Sequence, residues 1–446
     1  LVARGFEEMC VMRKDSPTVT KVVVRLLFSL AASYNWTVDT LDVTSAFLQA
    51  KGTMRDVFVK PPRDIRKRGI IWKLLKPLYG LGDSARRWYV TIKDHLTGTS
   101  NCEISKLDKS LFRYYENNRL QGVMVTHVDD ILHCGTTRFK NTVIKSIYST
   151  FKISRSYTGV FTYLGWKVSQ NEEDIYVDQR DYALAIKPVD IASSRYTELE
   201  SDLTEEEVVE YQKLLGKLLW LSSQTRPDLS FDTLEHSTFS IKKVKHLKSL
   251  NKVTKKLADG PKRVTYRKLD IEKGNLHLLC FTDASLGNIS ETKHSAGGYI
   301  IFLTDGKVAN LIAWSSSKVK RVVHSIFAAE TLSCTVGTAA AIYIRQVLSE
   351  MLFRDPRNEV IPIVVLIDSK QLYDNVHSSS LCQDKRLILD IAVLQENLQK
   401  GEIGEIRWVP TPKMLADCLT KKGAPCGDLA EILETGYFHL DEYLRR

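Results

Sequence analysis

No two cysteines in this sequence stand in a Cys-x-x-Cys spacing. All eight (Cys10, Cys102, Cys134, Cys280, Cys334, Cys382, Cys418 and Cys426) are scattered singly. That excludes the ligand spacing of a zinc ribbon or finger and fits a reducing compartment. Nor does any stretch approach the roughly 20 uncharged apolar residues of a membrane span. The best candidate, VVVRLLFSLAA at 22–32, is short, carries Arg25 and reads as a buried amphipathic helix. A secretory signal is missing too, and the chain opens LVARGFEE without Met, so it reads as a piece of something longer. Internal repeats and low-complexity runs are absent. What is present is a chain of 446 residues, 43% of them hydrophobic, enough for roughly two to four domains. Its formal net charge of +10 favours polyanionic partners, nucleic acid first.

The first part of the chain alternates helical and strand patterns. TVTKVVVRLLFSLAASYN has helical spacing, WTVDTLDV (36–43) alternates as a strand, and TSAFLQA follows as a short helix capped by Thr44 or Ser45. DVFVKPP and IWKLLKPLYG read as strands, and residues 81–96 as a helix. LFRYYENNRLQGVMVTHVDDILHCG reads as three strands, turning at Asn117-Asn118 and again at Asp129-Asp130. A helix at RFKNTVIKSIYSTF and a hairpin at YLGWKVSQNEEDIYVDQ complete an α+β domain ending near residue 190. Residues 200–258 are helical and stop at Asp259-Gly260-Pro261. After residue 270 come strands LHLLCFTDAS, SAGGYIIFLT and VANLIAWSSS, a long helix, strand IPIVVLIDS, a helix near 383–399, strand EIRWVP and a helical tail. That order predicts a mixed sheet with helices packed on it.

Two groups of acids stand out. Asp129 and Asp130 adjoin each other at a strand turn flanked by apolar residues. Like charges that close resist joint ionisation, and a divalent cation held through oxygen ligands removes the cost. A solvated acidic turn is the plainer account of the pair alone. Asp42 ends a strand that turns into a helix and offers a third carboxylate for a two-metal site. KPLYGLGDSARRWY adds glycines for close backbone approach, Arg86 and Arg87 for phosphates, and aromatic rings for stacking. Farther on, Asp283 ends an apolar strand, Glu330 lies early in a helix, Asp368 ends a strand and Asp417 lies on a late helix. One acid at a strand end is a cap; four on strand, helix, strand and helix can converge on metal ions at a sheet edge. The stretch between the two groups, 241–268, carries eleven Lys and Arg against Asp259. A solvated helix face is the plain reading of such a run, and phosphate contact the functional one.

Taken together, LVARGF, LDVTSAFL, KPLYGL…RRWY, THVDDIL, YLGWKV and TRPDLSF resemble the reverse transcriptase of copia-type LTR retrotransposons from residue 1 to about 235. TDAS, SAGGY, AWSSSK, AAET, DSK and RWVPTPKMLADCLTK are similar to the ribonuclease H of the same polyproteins over roughly 275–423. The resemblance implies an α+β right-hand palm and fingers (1–190, truncated at its start), a basic helical thumb or connection (191–268), a ribonuclease H-like α/β domain (269–425) and a tail (426–446). It implies Asp42, Asp129 and Asp130 as metal ligands of a polymerase, and Asp283, Glu330, Asp368 and Asp417 as those of a nuclease. Each site would hold two Mg²⁺, with Mn²⁺ as a substitute. Phe47 falls where the family closes off the sugar 2′ position. Arg4, Asp83 and Arg86 fall near the incoming nucleotide, and His127, Lys245, Lys248, Lys252, Lys255 and Lys256 near nucleic acid. Two departures are His127, where the family has Tyr, and Asp83, where it has an amide and where a carboxylate would repel phosphates. No His precedes Asp417 in VPTPKMLAD.

The expected function is RNA-directed DNA synthesis with removal of the RNA strand. The expected partners are RNA template, DNA primer, RNA–DNA hybrid, dNTPs and other proteins of a retrotransposon particle, in the cytoplasm or nucleus and with no membrane. A catalytically inactive, nucleic-acid-binding remnant is the competing expectation.

Overall fold

The computed structural model describes residues 2–444 apart from 9–13, 54, 272–273, 290–292, 358–360 and 381. The chain divides into two compact units, residues 1–163 with 350–352, and residues 164–349 with 353–446.

In the first unit a six-stranded antiparallel sheet runs in the order Glu103–Ile104, Leu111–Glu116, Arg119–His127, Asp130–Gly135, Val38–Val43, Ile153–Thr158. The strand Val38–Val43 sits between two strands formed far later in sequence. Helix Ser84–Gly98 and the helical stretch 137–150 cover one face. They meet the sheet in a core that includes Trp88, Ile92, Leu96, Phe112, Met124, Ile131, Phe139, Val143 and Ile147. The stretch 137–150 contains a π turn over Lys140–Ile144, which the periodicity did not reveal. Helix Lys21–Tyr34 is apolar and buried from Val23 to Ser33, Arg25 included, and the Thr20 hydroxyl caps it by accepting from the Val23 amide at 3.5 Å.

Local differences from the sequence reading have local causes. Asn117 and Asn118 both take positive φ, as a tight hairpin demands. The second hairpin turns one residue earlier than expected. Its strands end at His127 and resume at Asp130, so Val128 and Asp129 form the bend. The helix after Asp42 spans only Ala46–Gln49, and its N-cap Ser45 makes no side-chain cap bond. The strands in DVFVKPP and IWKLLKPLYG shrink to Phe58–Val59 and Trp72–Lys73, paired only with each other.

In the second unit, Ile175–Asp178 pairs on one side with Trp166–Gln170 and on the other with Val264–Tyr266. The basic run 241–268 is therefore not helical throughout; its end is a sheet strand. Helices Glu205–Gln224, Ser230–Ser237 and Val244–Asp259 follow. A capping box from Thr204 and Glu207 starts the first. Leu247, Leu250, Val253 and Leu257 recur every three or four residues along the third and bury against Leu214, Leu218 and Leu221 of the first, which turns the lysines outward. Gly260 ends that helix, and Pro261 follows it.

A five-stranded mixed sheet then runs in the order Ala309–Lys318, His294–Thr304, His277–Ile289, Ile363–Ile367, Glu405–Trp408. The first three strands are antiparallel; the last two join in parallel. Ile363–Ile367 is buried at every position, as a parallel strand covered on both faces should be. This strand order, with helices on the sheet, is the ribonuclease H-like fold. Helix Ile326–Phe353 packs tightly on it: a Cβ at Gly337 would come within 2.5 Å of Thr282 Cγ2 and 3.2 Å of Cys280 Sγ. That helix is long and apolar enough to cross a membrane, contrary to the sequence reading, and 56% of its most apolar window is buried inside the protein. The seven described cysteines are free; Cys10 lies outside the described residues.

Candidate active sites

Asp42 lies opposite Asp130 in the register of two neighbouring strands, and Asp130 lies opposite His127 across the turn. The Val43 amide donates to the Asp129 carbonyl at 3.3 Å, tying the turn to the end of the central strand. Val128 holds the turn at φ 59°, a conformation that costs a β-branched residue on the order of 1–3 kcal/mol. The buried indole of Trp88 keeps it there, donating to the Val128 carbonyl at 2.7 Å. The sheet thus aims three carboxylates at one end of the hairpin. Partial removal of water, followed by the charges of Asp129 and Asp42, raises the Asp130 carboxyl above the usual range. Burial and then the same two charges raise the Tyr79 hydroxyl, so that ring stands beside the acids. Phe47 packs against it with ring centroids 4.5 Å apart. The three carboxylates do not close into one ligand cluster, and Asp42 accepts a hydrogen bond from Ser154 on the adjoining strand.

The other expected residues of this unit fall in distinct places. Asp83 is buried and faces Arg55 at 3.3 Å and Arg87 at 4.0 Å, so its charge is compensated inside the protein. Arg55 also pairs with Glu8. Arg86 reaches Asp15 at 3.4 Å and lies 5.7 Å from the Tyr89 ring. Arg4 is exposed and pairs with Glu7 at 3.2 Å.

The second acid group is gathered. Asp283, Asp368 and Asp417 each bring a carboxylate oxygen to within 4.8 Å of the others. Each comes from a different element. Asp283 lies inside strand His277–Ile289 rather than at its end, and Asp368 directly follows strand Ile363–Ile367. Asp417 opens a 3-10 turn, Asp417–Leu419, where the sequence had suggested a helix. Glu330 is buried; one oxygen accepts from the Ala284 amide at 3.2 Å and the other has no partner. Burial raises Glu330 well above the carboxylate range, with Asp283 and Asp368 adding to it. Burial likewise pushes Asp283 up to about 7, against the opposing pull of Lys421.

Four residues that the sequence reading did not single out hold these acids. Thr420 donates to Asp283, and Thr411 donates to Asp368 at 2.8 Å. The Trp408 indole donates to the Asp368 carbonyl at 2.8 Å. The Lys421 ammonium lies 2.7 Å from Asp417 and 3.2 Å from Asp283, inside the cluster itself. Asp417 and Lys421 are four residues apart in LADCLTKK, which was the one available signal. The donor set is all oxygen, three acids face a single ammonium, and one buried carboxylate oxygen is orphaned. Hard divalent cations suit such a set.

The five predicted lysines divide. Lys245 pairs with Glu200 at 3.0 Å and Lys256 with Asp232 at 2.6 Å. Lys248, Lys252 and Lys255 line a groove along the same helix.

An antiparallel sheet with acids at its hairpin thus precedes a ribonuclease H-like sheet with a gathered acid cluster. Residues 1–196 match the reverse transcriptase (RNA-dependent DNA polymerase) family. Over most of its length the chain is similar to Pol polyproteins of transposons. It is 29% identical over 94% of its length to the retrovirus-related Pol polyprotein from transposon RE1 of Arabidopsis thaliana, covering 29% of that protein. It is 24% identical, again over 94% of its length, to the one from transposon TNT 1-94 of Nicotiana tabacum, covering 32% of that protein. The chain thus spans about a third or less of these relatives. Among solved structures, a foamy viral protease-reverse transcriptase in complex with double-stranded DNA aligns at 14% identity, covering 84% of this chain and 57% of that one, with a TM-score of 0.48.

Proposed function

We propose that the chain is an RNA-directed DNA polymerase with a linked ribonuclease H, working as a palm and fingers over 1–190, a thumb or connection over 191–268 and a nuclease over 269–425. The observation that carries the reading is the convergence of Asp283, Asp368 and Asp417 beside the orphaned oxygen of Glu330, on a chain whose other half matches a reverse transcriptase family. Three carboxylates that close, Asp283 buried and Asp368 and Asp417 half-buried, favour a cation among them.

In the nuclease site, Asp283, Glu330, Asp368 and Asp417 would hold two Mg²⁺. Bound there, the metals supply an activated water and stabilise the charge that develops on the cleaved phosphate. The protein's own contribution is orientation: Thr420 and Thr411 fix the rotamers of Asp283 and Asp368. Lys421 neutralises the cluster and provides a donor for a phosphate oxygen.

In the polymerase site, Asp42, Asp129 and Asp130 would hold the ions that lower the pKa of a primer hydroxyl and bind a triphosphate. The Phe47–Tyr79 pair would press on the sugar and disfavour a ribose 2′-hydroxyl. The compensated charge of Asp83 supports phosphate approach in spite of the missing amide.

The test is primer extension on an RNA template with Mg²⁺ or Mn²⁺ and dNTPs, with hybrid cleavage read from the same gel. An Asp129→Asn/Asp130→Asn variant should lose extension and keep cleavage, and Asp417→Asn the reverse. Background levels of both in the unmodified, folded chain would favour a non-catalytic remnant.

A further inference from the structure

Two cavities, of about 160 and 550 Å³, flank the helix Val244–Asp259. They share Ala183, Leu184, Leu257 and Ala258, and so form one trench. Its floor is apolar. Arg180, Lys262 and Arg263 line one end, with Arg226 paired to Asp228 at 2.7 Å beneath them; Lys187, Lys248, Lys252 and Lys255 line the other, and besides the paired Arg226 these are seven cations facing Asp190, the one acid among the lining residues. Among the described residues none of these seven cations has a carboxylate within ion-pair distance. The neighbouring Lys243, Lys245 and Lys256, outside the trench, are all paired with Glu200 or Asp232. Lys248, Lys252 and Lys255 recur at four and three residues and share a helix face. An exposed ring, Tyr196, lines the wider cavity, with the Lys248 ammonium 5.3 Å from its centroid.

We propose that this trench binds single-stranded nucleic acid. Unpaired cations along a rim, an apolar floor and an accessible ring are the combination that tracks a strand's phosphates while its bases stack. The volumes suit a nucleotide or two, with a base laid on the apolar floor, which an unpaired strand can offer and a paired base cannot. The occupant is thus an unpaired strand, such as a template overhang, rather than a double helix. The proposal rests on the nucleic-acid reading above and adds the strandedness and the residues.

The test uses the full chain and fluorescence anisotropy with a labelled oligo(dT) and with a blunt-ended duplex, over a salt series. The variant is Lys248→Gln/Lys252→Gln/Lys255→Gln, and Lys213→Gln/Lys243→Gln, at two ion-paired lysines outside the trench, is the control. Each phosphate contact on a single strand adds about 0.7 to the slope of log affinity against log salt. The triple variant should therefore lose about 2 from that slope and at least tenfold in oligo(dT) affinity at low salt. Its duplex affinity, and both affinities of the control, should stay within twofold. Tyr196→Ala should weaken oligo(dT) severalfold at unchanged salt slope, which keeps the test decisive if the triple variant folds poorly. An unchanged slope in the triple variant together with unchanged affinity in Tyr196→Ala would overturn the proposal. So would an equal loss on the duplex, or displacement of oligo(dT) by polyglutamate at matched charge, which would indicate an acidic protein segment. Absence of hybrid cleavage from the unmodified chain would count against the catalytic reading and leave the binding result standing.

Discussion

The nuclease cluster makes a prediction about stability that can be worked from the structure. Asp283 is fully buried and its carboxyl titrates at about 7 rather than 3.8. Between those values the folded chain keeps a proton that the unfolded chain has released. Stability of the metal-free protein should therefore fall as pH rises from about 4 to 7, with the raised Glu330 adding to the fall in the same direction. At about 1.4 kcal/mol per pH unit the upper bound is on the order of 4 kcal/mol, and relaxation around Lys421 reduces it to about 2–4. For a cooperative unit of this size that is a fall in Tm of about 5–10 °C. Mg²⁺ binds the ionised form, so adding it at pH 8 should restore most of the loss, and at pH 5 it should do little. Asp283→Asn removes the titrating group. It should reduce the pH slope to what Glu330 contributes, raise the metal-free Tm at pH 8 and abolish the Mg²⁺ response. Scanning calorimetry with chelator or Mg²⁺ at pH 5, 6, 7 and 8 measures all of this. A pH slope unchanged in Asp283→Asn, or a Mg²⁺ response that survives that substitution, would refute the reasoning.

Three more expectations concern other parts of the fold. Burial lowers the His133 imidazole to about 4, so stability should fall as pH drops below about 6.5, and His133→Leu should blunt that acid limb in urea titrations at pH 7 and 4.5. A Cβ at Gly298 would lie 2.8 Å from Leu419 Cβ and 3.0 Å from Thr420 Cγ2, beside Asp417; Gly298→Ala should cut hybrid cleavage at least tenfold while primer extension stays intact, read on one gel. Val128→Gly should relieve positive-φ strain by about 1 kcal/mol, whereas Trp88→Phe, which orphans the Val128 carbonyl, should cost about 1–3 kcal/mol in denaturant midpoints.

Much of the molecule was legible in the sequence because its signals are local. Strand alternation, the Asn117-Asn118 turn and the stop at Asp259-Gly260-Pro261 depend on neighbours a few residues apart, and all three appear where the patterns put them. So were the identity of the acids and the order of the motifs, on which the proposed function rests. The tertiary structure alone decided which acids meet. Asp283, Asp368 and Asp417 come together because two parallel strands add to one edge of an antiparallel meander, a pairing that no local pattern encodes. The same long-range geometry places Lys421 inside the cluster and brings Val264–Tyr266 beside Ile175–Asp178. It also separates lysines of identical sequence character into those neutralised by Glu200 or Asp232 and those left facing a trench. Charge is written in the chain, but whether a charge is answered depends on what the fold brings within 4 Å of it.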